Sequence, residues 1–254
     1  MTGIHTATSD IRISCIICAF NEAPRIGAVL AVASAHALLS EIIVVDDGST
    51  DATADVVRRF PSVRLISCSV NRGKSAAMAI GIAAARCELL MLLDADLKGL
   101  ASREITALAA PVLSGEADLS LSLRQNSLLM FRIIGLDFVS GERVVRKELL
   151  SEVLSDIHRL PRFGIEVFMN RRIIERRLSI AVTHWPHVTQ ARKTEKLGTW
   201  KGMRAEWRMI ADLLKFAYPL ALLSQSYQLF SLRVEHADHA ALSVRIRRPR
   251  DSAT

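Results

Sequence analysis

The run Glu88-Leu-Leu-Met-Leu-Leu-Asp94-Ala-Asp96 constrains this chain more than any other stretch. Leu89 to Leu93 are apolar without alternation, the pattern of a central strand covered on both faces. Asp94 and Asp96 follow at a spacing of two, where such a strand leaves its sheet. In open α/β sheets that carboxyl edge is where ligands bind. Two neighbouring carboxylates repel each other unless a cation lies near them. A hard divalent ion that also bridges to phosphate oxygens meets that requirement.

The same grammar repeats upstream. Ile11 to Ala19 is apolar and β-prone and stops at Asn21-Glu22, after which Pro24 opens a helical pattern running to about Ser40. Glu41-Ile-Ile-Val-Val-Asp46-Asp47 is a second buried strand that ends in acids, followed by the turn Gly48-Ser49-Thr50-Asp51 and a helix to Phe60. Capping that helix needs one acid, and this segment supplies three. Val63 to Ser69 is a third strand, Asn71-Arg72-Gly73-Lys74 a loop, and Ser75 to Arg86 a helix rich in small residues that can pack closely on a sheet. A Gly-Lys pair at a helix N-terminus suits an anionic ligand, although the GxxxxGK[ST] spacing of a P-loop is missing. Strand and helix alternate four strands deep over residues 11 to 94, which predicts a parallel, doubly wound α/β sheet with right-handed crossovers and helices on both faces. No GxGxxG follows the first strand, so this is not the dinucleotide fingerprint.

A formal net charge of +7 on 254 residues favours anionic partners such as nucleotides, phosphorylated lipids or membrane surfaces. Nucleic acid is not expected, because only Trp200 and Trp207 interleave with the basic runs. Cys15 and Cys18 have CxxC spacing, but residues three apart on a strand face opposite sides and cannot share one metal. They read, with Cys68 and Cys87, as thiols in a reducing cytoplasm. Residues 1–10 are polar and read as a flexible lead-in without a signal peptide.

Taken together, Ala19-Phe20-Asn21-Glu22, Asp46-Asp47-Gly48-Ser49-Thr50-Asp51, Asn71-Arg72-Gly73-Lys74 and Leu93-Asp94-Ala95-Asp96 resemble the nucleotide-sugar-binding half of glycosyltransferase family 2, including the dolichyl-phosphate sugar synthases. The resemblance implies a GT-A fold over residues 11–190, with 11–100 as the nucleotide-sugar half and 101–190 as the acceptor half. It implies inverting, non-processive transfer of one sugar from a nucleoside diphosphate sugar, since the Gln-x-x-Arg-Trp motif of processive members is absent. Ala19, Asn21, Glu22, Asp47, Lys74 and Asp94 would bind the nucleotide sugar. Asp96 would bind a divalent metal, Mg²⁺ or Mn²⁺, and serve the chemistry. Two departures stand out: Cys18 occupies the place of a usual proline, and Leu97-Lys98 follows the acids where those synthases often carry a glutamine as third metal ligand.

Beyond residue 100 the readings remain paired. Ala101 to Ser114 is a helix and Ala117 to Arg124 an alternating strand. Ser140-Gly141-Glu142-Arg143-Val144-Val145-Arg146 resembles an acceptor-side segment of the family, so Arg143 and Arg146 either meet a phosphate or are surface charge. Glu166 is either the base that deprotonates a hydroxyl acceptor or a carboxylate favoured by the first turn of a helix. His187, leaving a strand over Leu178 to His187, either completes the metal shell with Asp96 or is a surface histidine. Residues 191–254 combine a basic loop, an apolar helical segment and a tail. The uncharged run Phe216 to Leu232, 17 residues including Pro219, falls short of a membrane span. It can lie on the inner face of the membrane beside a polyprenyl phosphate or other lipid acceptor, or pack on the sheet or on a second copy as a homodimer. The rival readings are a nucleotidyltransferase, whose Gly-rich N-terminal loop is missing, and a nucleotide-binding protein without transferase chemistry.

Overall fold

The computed structural model describes residues 12–127, 129–160, 164–190, 225 and 227–234. The elements in chain order are β1 (Ile13–Ala19), α1 (Ile26–Ser34), β2 (Leu39–Asp46), α2 (Thr53–Arg58), β3 (Val63–Ser67), α3 (Lys74–Ala84), β4 (Leu89–Asp94), β5 (Leu97–Lys98), α4 (Ser102–Leu113), β6 (Leu119–Arg124), α5 (Leu129–Ile134), β7 (Arg143–Arg146), α6 (Glu148–Ser151), α7 (Leu154–Arg159), α8 (Ile165–Glu175), β8 (Ile180–Trp185) and β9 (Thr189–Gln190). Seven strands form one sheet in the order β3-β2-β1-β4-β7-β6-β8, and β5 pairs with β9 apart from it.

β1 lies between β2 and β4 and is parallel to both, with Cys18 in register with Val45 on one side and Asp94 on the other. The strand exits therefore align: Asp46-Asp47 and Asp94 leave the sheet on the same edge, flanking β1. Every residue of β4 is buried, as its unbroken apolar run requires. Two apolar layers cover the sheet. One joins Ile16, Val45 and Leu92 to α3 and α8, and the other joins Cys15, Ile17 and Met91 to α1 and α4. Cys15 and Cys18 accordingly sit on opposite faces, and all four cysteines are free thiols. Burial pushes the Cys15 and Cys18 thiols up to about 12.

Two local features depart from the sequence reading. The helix after β1 begins only at Ile26, because the chain first makes a turn in which the amides of Arg25 and Ile26 both donate to the Glu22 carbonyl. Residues 143–146 form a strand inserted antiparallel between β4 and β6. The Leu/Ser alternation of β6, expected from its sequence, is buried on both faces. Ser120 and Ser122 are buried, and Ser120 Oγ donates to the Leu108 carbonyl. Among the described residues no helix is long and apolar enough to cross a membrane. Of the apolar run 216–232, only 225 and 227–232 fall within the described residues, and the basic loop from 191 lies outside them.

At Gly81 α3 lies so close to the sheet that an added Cβ would run into Ile16 Cγ2. Alanine at 81 gains about 1 kcal/mol of helix propensity, but an added methyl in a packed interface costs ~1–3 kcal/mol. Gly81→Ala is expected to lower stability by ~1 kcal/mol through that overpacking, read as a lower urea midpoint at unchanged slope. A raised midpoint would show that the contact yields freely.

Candidate active site

The acids at the strand exits differ in what they hold. Asp47 accepts from the backbone amides of Arg72 (2.9 Å) and Gly73 (2.7 Å), tying the loop before α3 to the end of β2. Its own amide donates to the Ala19 carbonyl at 2.9 Å. Asn21 adopts φ 56°, a left-handed conformation that asparagine tolerates. Its Oδ1 accepts from the Thr50 amide and its backbone N–H donates to Ser49 Oγ. Glu22 is buried, its backbone amide donates to Thr53 Oγ1, and its carboxylate accepts from Arg25 Nε. Ala19, Asn21, Glu22 and Asp47 thus lie together in one knot of loops. Asp51 braces that knot by accepting from the Thr53 hydroxyl and amide and from the Ala23 amide. Partial burial raises its pKa, and these bonds outweigh it and leave the pKa lowered.

Lys74 stands at the first position of α3 and reaches Asp94 Oδ1 and Glu166 Oε1, both at 2.8 Å. Glu166 lies in the first turn of α8 and is buried. One ammonium therefore joins the residue that ends β4 to a residue more than seventy positions later. Burial opposes its charge, but Asp94 and Glu166 outweigh that and hold its pKa above the usual lysine range. For Asp94 burial alone would raise the pKa. Lys74 and then Arg124 overcome it and hold the carboxyl below the usual range.

Sequence reasoning missed three residues here. Arg124, at the end of β6, pairs with Glu142 at 2.8 Å and lies 3.7 Å from both Asp94 and Asp137. Glu142 is fully buried and accepts from Ser122 and Ser140, and burial raises its pKa. Gln190, on β9, donates from Nε2 to Asp94 Oδ2 (2.9 Å) and Asp96 Oδ1 (3.2 Å) while Oε1 accepts from Arg124 (3.0 Å). A Cβ at Gly141 would stand 2.6 Å from Asp94 Oδ1, so the Ser140-Gly141-Glu142 segment packs directly on that carboxylate. The signal for Arg124 and Glu142 was a charged residue inside an otherwise strand-like pattern. For Gln190 no local signal existed.

Two expectations are corrected. Arg146 pairs with Leu89 at the opposite end of β4 from Asp94, about 16 Å away at the rise of a strand. It faces a separate cleft with Asp118, Glu148 and Arg176 and cannot serve this site. Arg143 is neither surface charge nor an open phosphate contact. It is fully buried, and its guanidinium donates to the Ser140 carbonyl and to Asn170 Oδ1; burial lowers its pKa. His187 is exposed, and among the described residues no three His, Cys, Asp or Glu side chains form a group that could hold a metal. β9 brings the Gln190 carboxamide to the acids, with Gln190 in register with Leu97.

The donor set nevertheless fits a hard cation. Asp94 and Asp96 are bridged by one carboxamide and surrounded by Asp137, Glu142 and Glu166, against Lys74, Arg124 and Arg143. Among the described residues these five acids outnumber the three cations by two. The oxygens at its mouth suit Mg²⁺ or Mn²⁺.

A mostly parallel α/β sheet with acids and a lysine at its carboxyl edge is the architecture of the GT-A glycosyltransferases. A profile described as Glycosyl transferase family 2 matches residues 14–150, and the chain belongs to that family. It is 27% identical over 247 residues to a dodecaprenyl-phosphate galacturonate synthase of Rhizobium johnstonii, covering 85% of this chain and 69% of that one. It is 32% identical over 100 residues to the human dolichyl-phosphate beta-glucosyltransferase, covering 34% of this chain and 31% of that one. The structure is similar to glucosyl-3-phosphoglycerate synthase from Mycobacterium tuberculosis in complex with Mn²⁺, uridine diphosphate and glucosyl-3-phosphoglycerate. The TM-score is 0.63 at 25% identity, over 80% of this chain and 79% of that one.

Removing one partner of a buried pair leaves its charge uncompensated, at ~3–5 kcal/mol. Lys74→Met is expected to destabilise by about that amount at pH 7.5 and by clearly less at pH 5. In the wild type, Asp94 has a pKa below its unfolded value, so its contribution is complete at neutral pH and is lost only as pH falls through that lowered pKa. In the variant the Lys74 attraction is gone and burial pulls the other way, so acid relieves the strain. Urea denaturation at the two pH values measures this, and an equal loss at both would contradict it.

Proposed function

We propose that this chain is an inverting, metal-dependent, non-processive glycosyltransferase. It moves one sugar from a nucleoside diphosphate sugar to a phosphate-bearing acceptor of the polyprenyl phosphate type, at the cytoplasmic face of a membrane. The observation that carries this reading is the Lys74 bridge between Asp94 and Glu166. Asp94 and Asp96 would hold a divalent cation, Mg²⁺ or Mn²⁺, which supplies charge neutralisation for the departing diphosphate. The knot of Ala19, Asn21, Glu22 and Asp47 would hold the nucleoside, with Asp47 fixing the loop that delivers Lys74. Lys74 would hold its ammonium beside the departing phosphate, where a fixed positive charge favours the developing anion.

The acceptor class follows from what Glu166 does. A hydroxyl acceptor needs a base near the anomeric carbon, whereas an ionised phosphate oxygen attacks without one. Glu166 accepts a hydrogen bond from the Lys74 ammonium, which makes it the residue that positions Lys74. The names of the Rhizobium and human relatives, both polyprenyl- or dolichyl-phosphate enzymes, favour the same acceptor chemistry.

Glutamine at 166 keeps an oxygen for Lys74 but cannot take a proton. Glu166→Gln is expected to keep turnover with a polyprenyl phosphate within about ten-fold of wild type, well short of the 10²–10⁴ that general base catalysis contributes. The assay follows nucleoside diphosphate release from a panel of donors. A loss of about a thousand-fold or more, with nucleotide binding intact, would assign Glu166 as base and a hydroxyl acceptor. No release by the wild type with any donor and acceptor would favour a nucleotide-binding protein without transfer.

A further inference from the structure

Gln190 is placed by more contacts than a loop side chain needs. Its backbone pairs with Leu97 across the β5–β9 ladder. The Asn126 carboxamide holds it from the other side, with Nδ2 donating to the Gln190 carbonyl at 2.9 Å and Oδ1 accepting from the Gln190 amide at 3.1 Å. The side chain is thereby fixed between Arg124 and both acids, with Nε2 within 3.2 Å of an oxygen of each. A carboxamide nitrogen carrying two protons is the neutral group that can sit between two carboxylates.

We infer that Gln190 is the third protein ligand of the metal site, alternating between two orientations of its carboxamide. The inference rests on the reading that Asp94 and Asp96 hold a divalent cation. The terminal torsion of glutamine is broad and roughly two-fold, so a half-turn exchanges Nε2 for Oε1. With nitrogen inward the amide quiets the repulsion between the acids. With oxygen inward it presents a third hard donor beside Asp94 and Asp96. Arg124, which loses its bond to Oε1 in the second orientation, keeps Glu142 at 2.8 Å. Lys98, next to Leu97, offers a cation rather than a ligand, so the oxygen that the chain lacks near Asp96 in sequence is supplied in space from β9. An all-oxygen shell favours Mg²⁺ and Mn²⁺ over ions that prefer imidazole or thiolate.

Titration of the full chain with MnCl₂ alone, followed by electron paramagnetic resonance of free Mn²⁺, tests this independently of turnover. Gln190→Ala should bind Mn²⁺ at least about ten-fold more weakly than wild type. Gln190→Glu, which keeps the bulk and adds a charge, should bind more tightly. Its melting temperature should also rise more than that of wild type when Mn²⁺ replaces EDTA, because the ion then meets three carboxylates. Mn²⁺ affinity in Gln190→Ala equal to or tighter than wild type overturns the inference and makes the residue a clamp of the metal-free acids. A wild type that binds no Mn²⁺, with or without uridine diphosphate, overturns the metal reading itself and this inference with it.

Discussion

The Lys74 ammonium is the charge on which the rest of the site depends. It satisfies Asp94 at the end of β4 and Glu166 at the start of α8, so the strand that carries the acids and the helix that closes the opposite wall are fixed relative to each other. A buried pair of this kind adds little net stability, but either partner alone is expensive. That asymmetry explains the work done around it. Asp47 uses both oxygens to hold the two amides preceding Lys74, and Gly141 lets backbone come against the Asp94 carboxylate.

Around that pair the protein has gathered more negative than positive charge. Arg124 serves Glu142, Asp94 and Asp137 at once, and Arg143 spends its donors on a carbonyl and an amide oxygen. Among the described residues Gln190 adds a neutral donor between Asp94 and Asp96.

Much of the nucleotide half was legible because its signals are local. An apolar strand running into acids, in three of the first four strands, states both the sheet and the edge where chemistry gathers. The far half was less legible. Arg143 to Arg146 reads either as a phosphate contact or as surface charge because its ends are arginines, yet it is a strand in mid-sheet, and only the antiparallel register shows that its two arginines end at opposite edges. Gln190 and His187 are three residues apart in a segment with no periodicity, so which one meets the acids is decided by pairing with β5 alone. Glu166 was visible as a helix-start carboxylate, but its bond to Lys74 is a long-range contact that no pattern announces.

The most direct test of the central claim, that the acids at the strand exits work through a divalent cation, is nucleoside diphosphate release from the donor in the presence of a polyprenyl phosphate. It would be followed after stripping the protein with EDTA and then titrating Mg²⁺ or Mn²⁺ back. The account predicts negligible release from the stripped protein and full recovery that saturates with metal. Undiminished release in excess EDTA would contradict it.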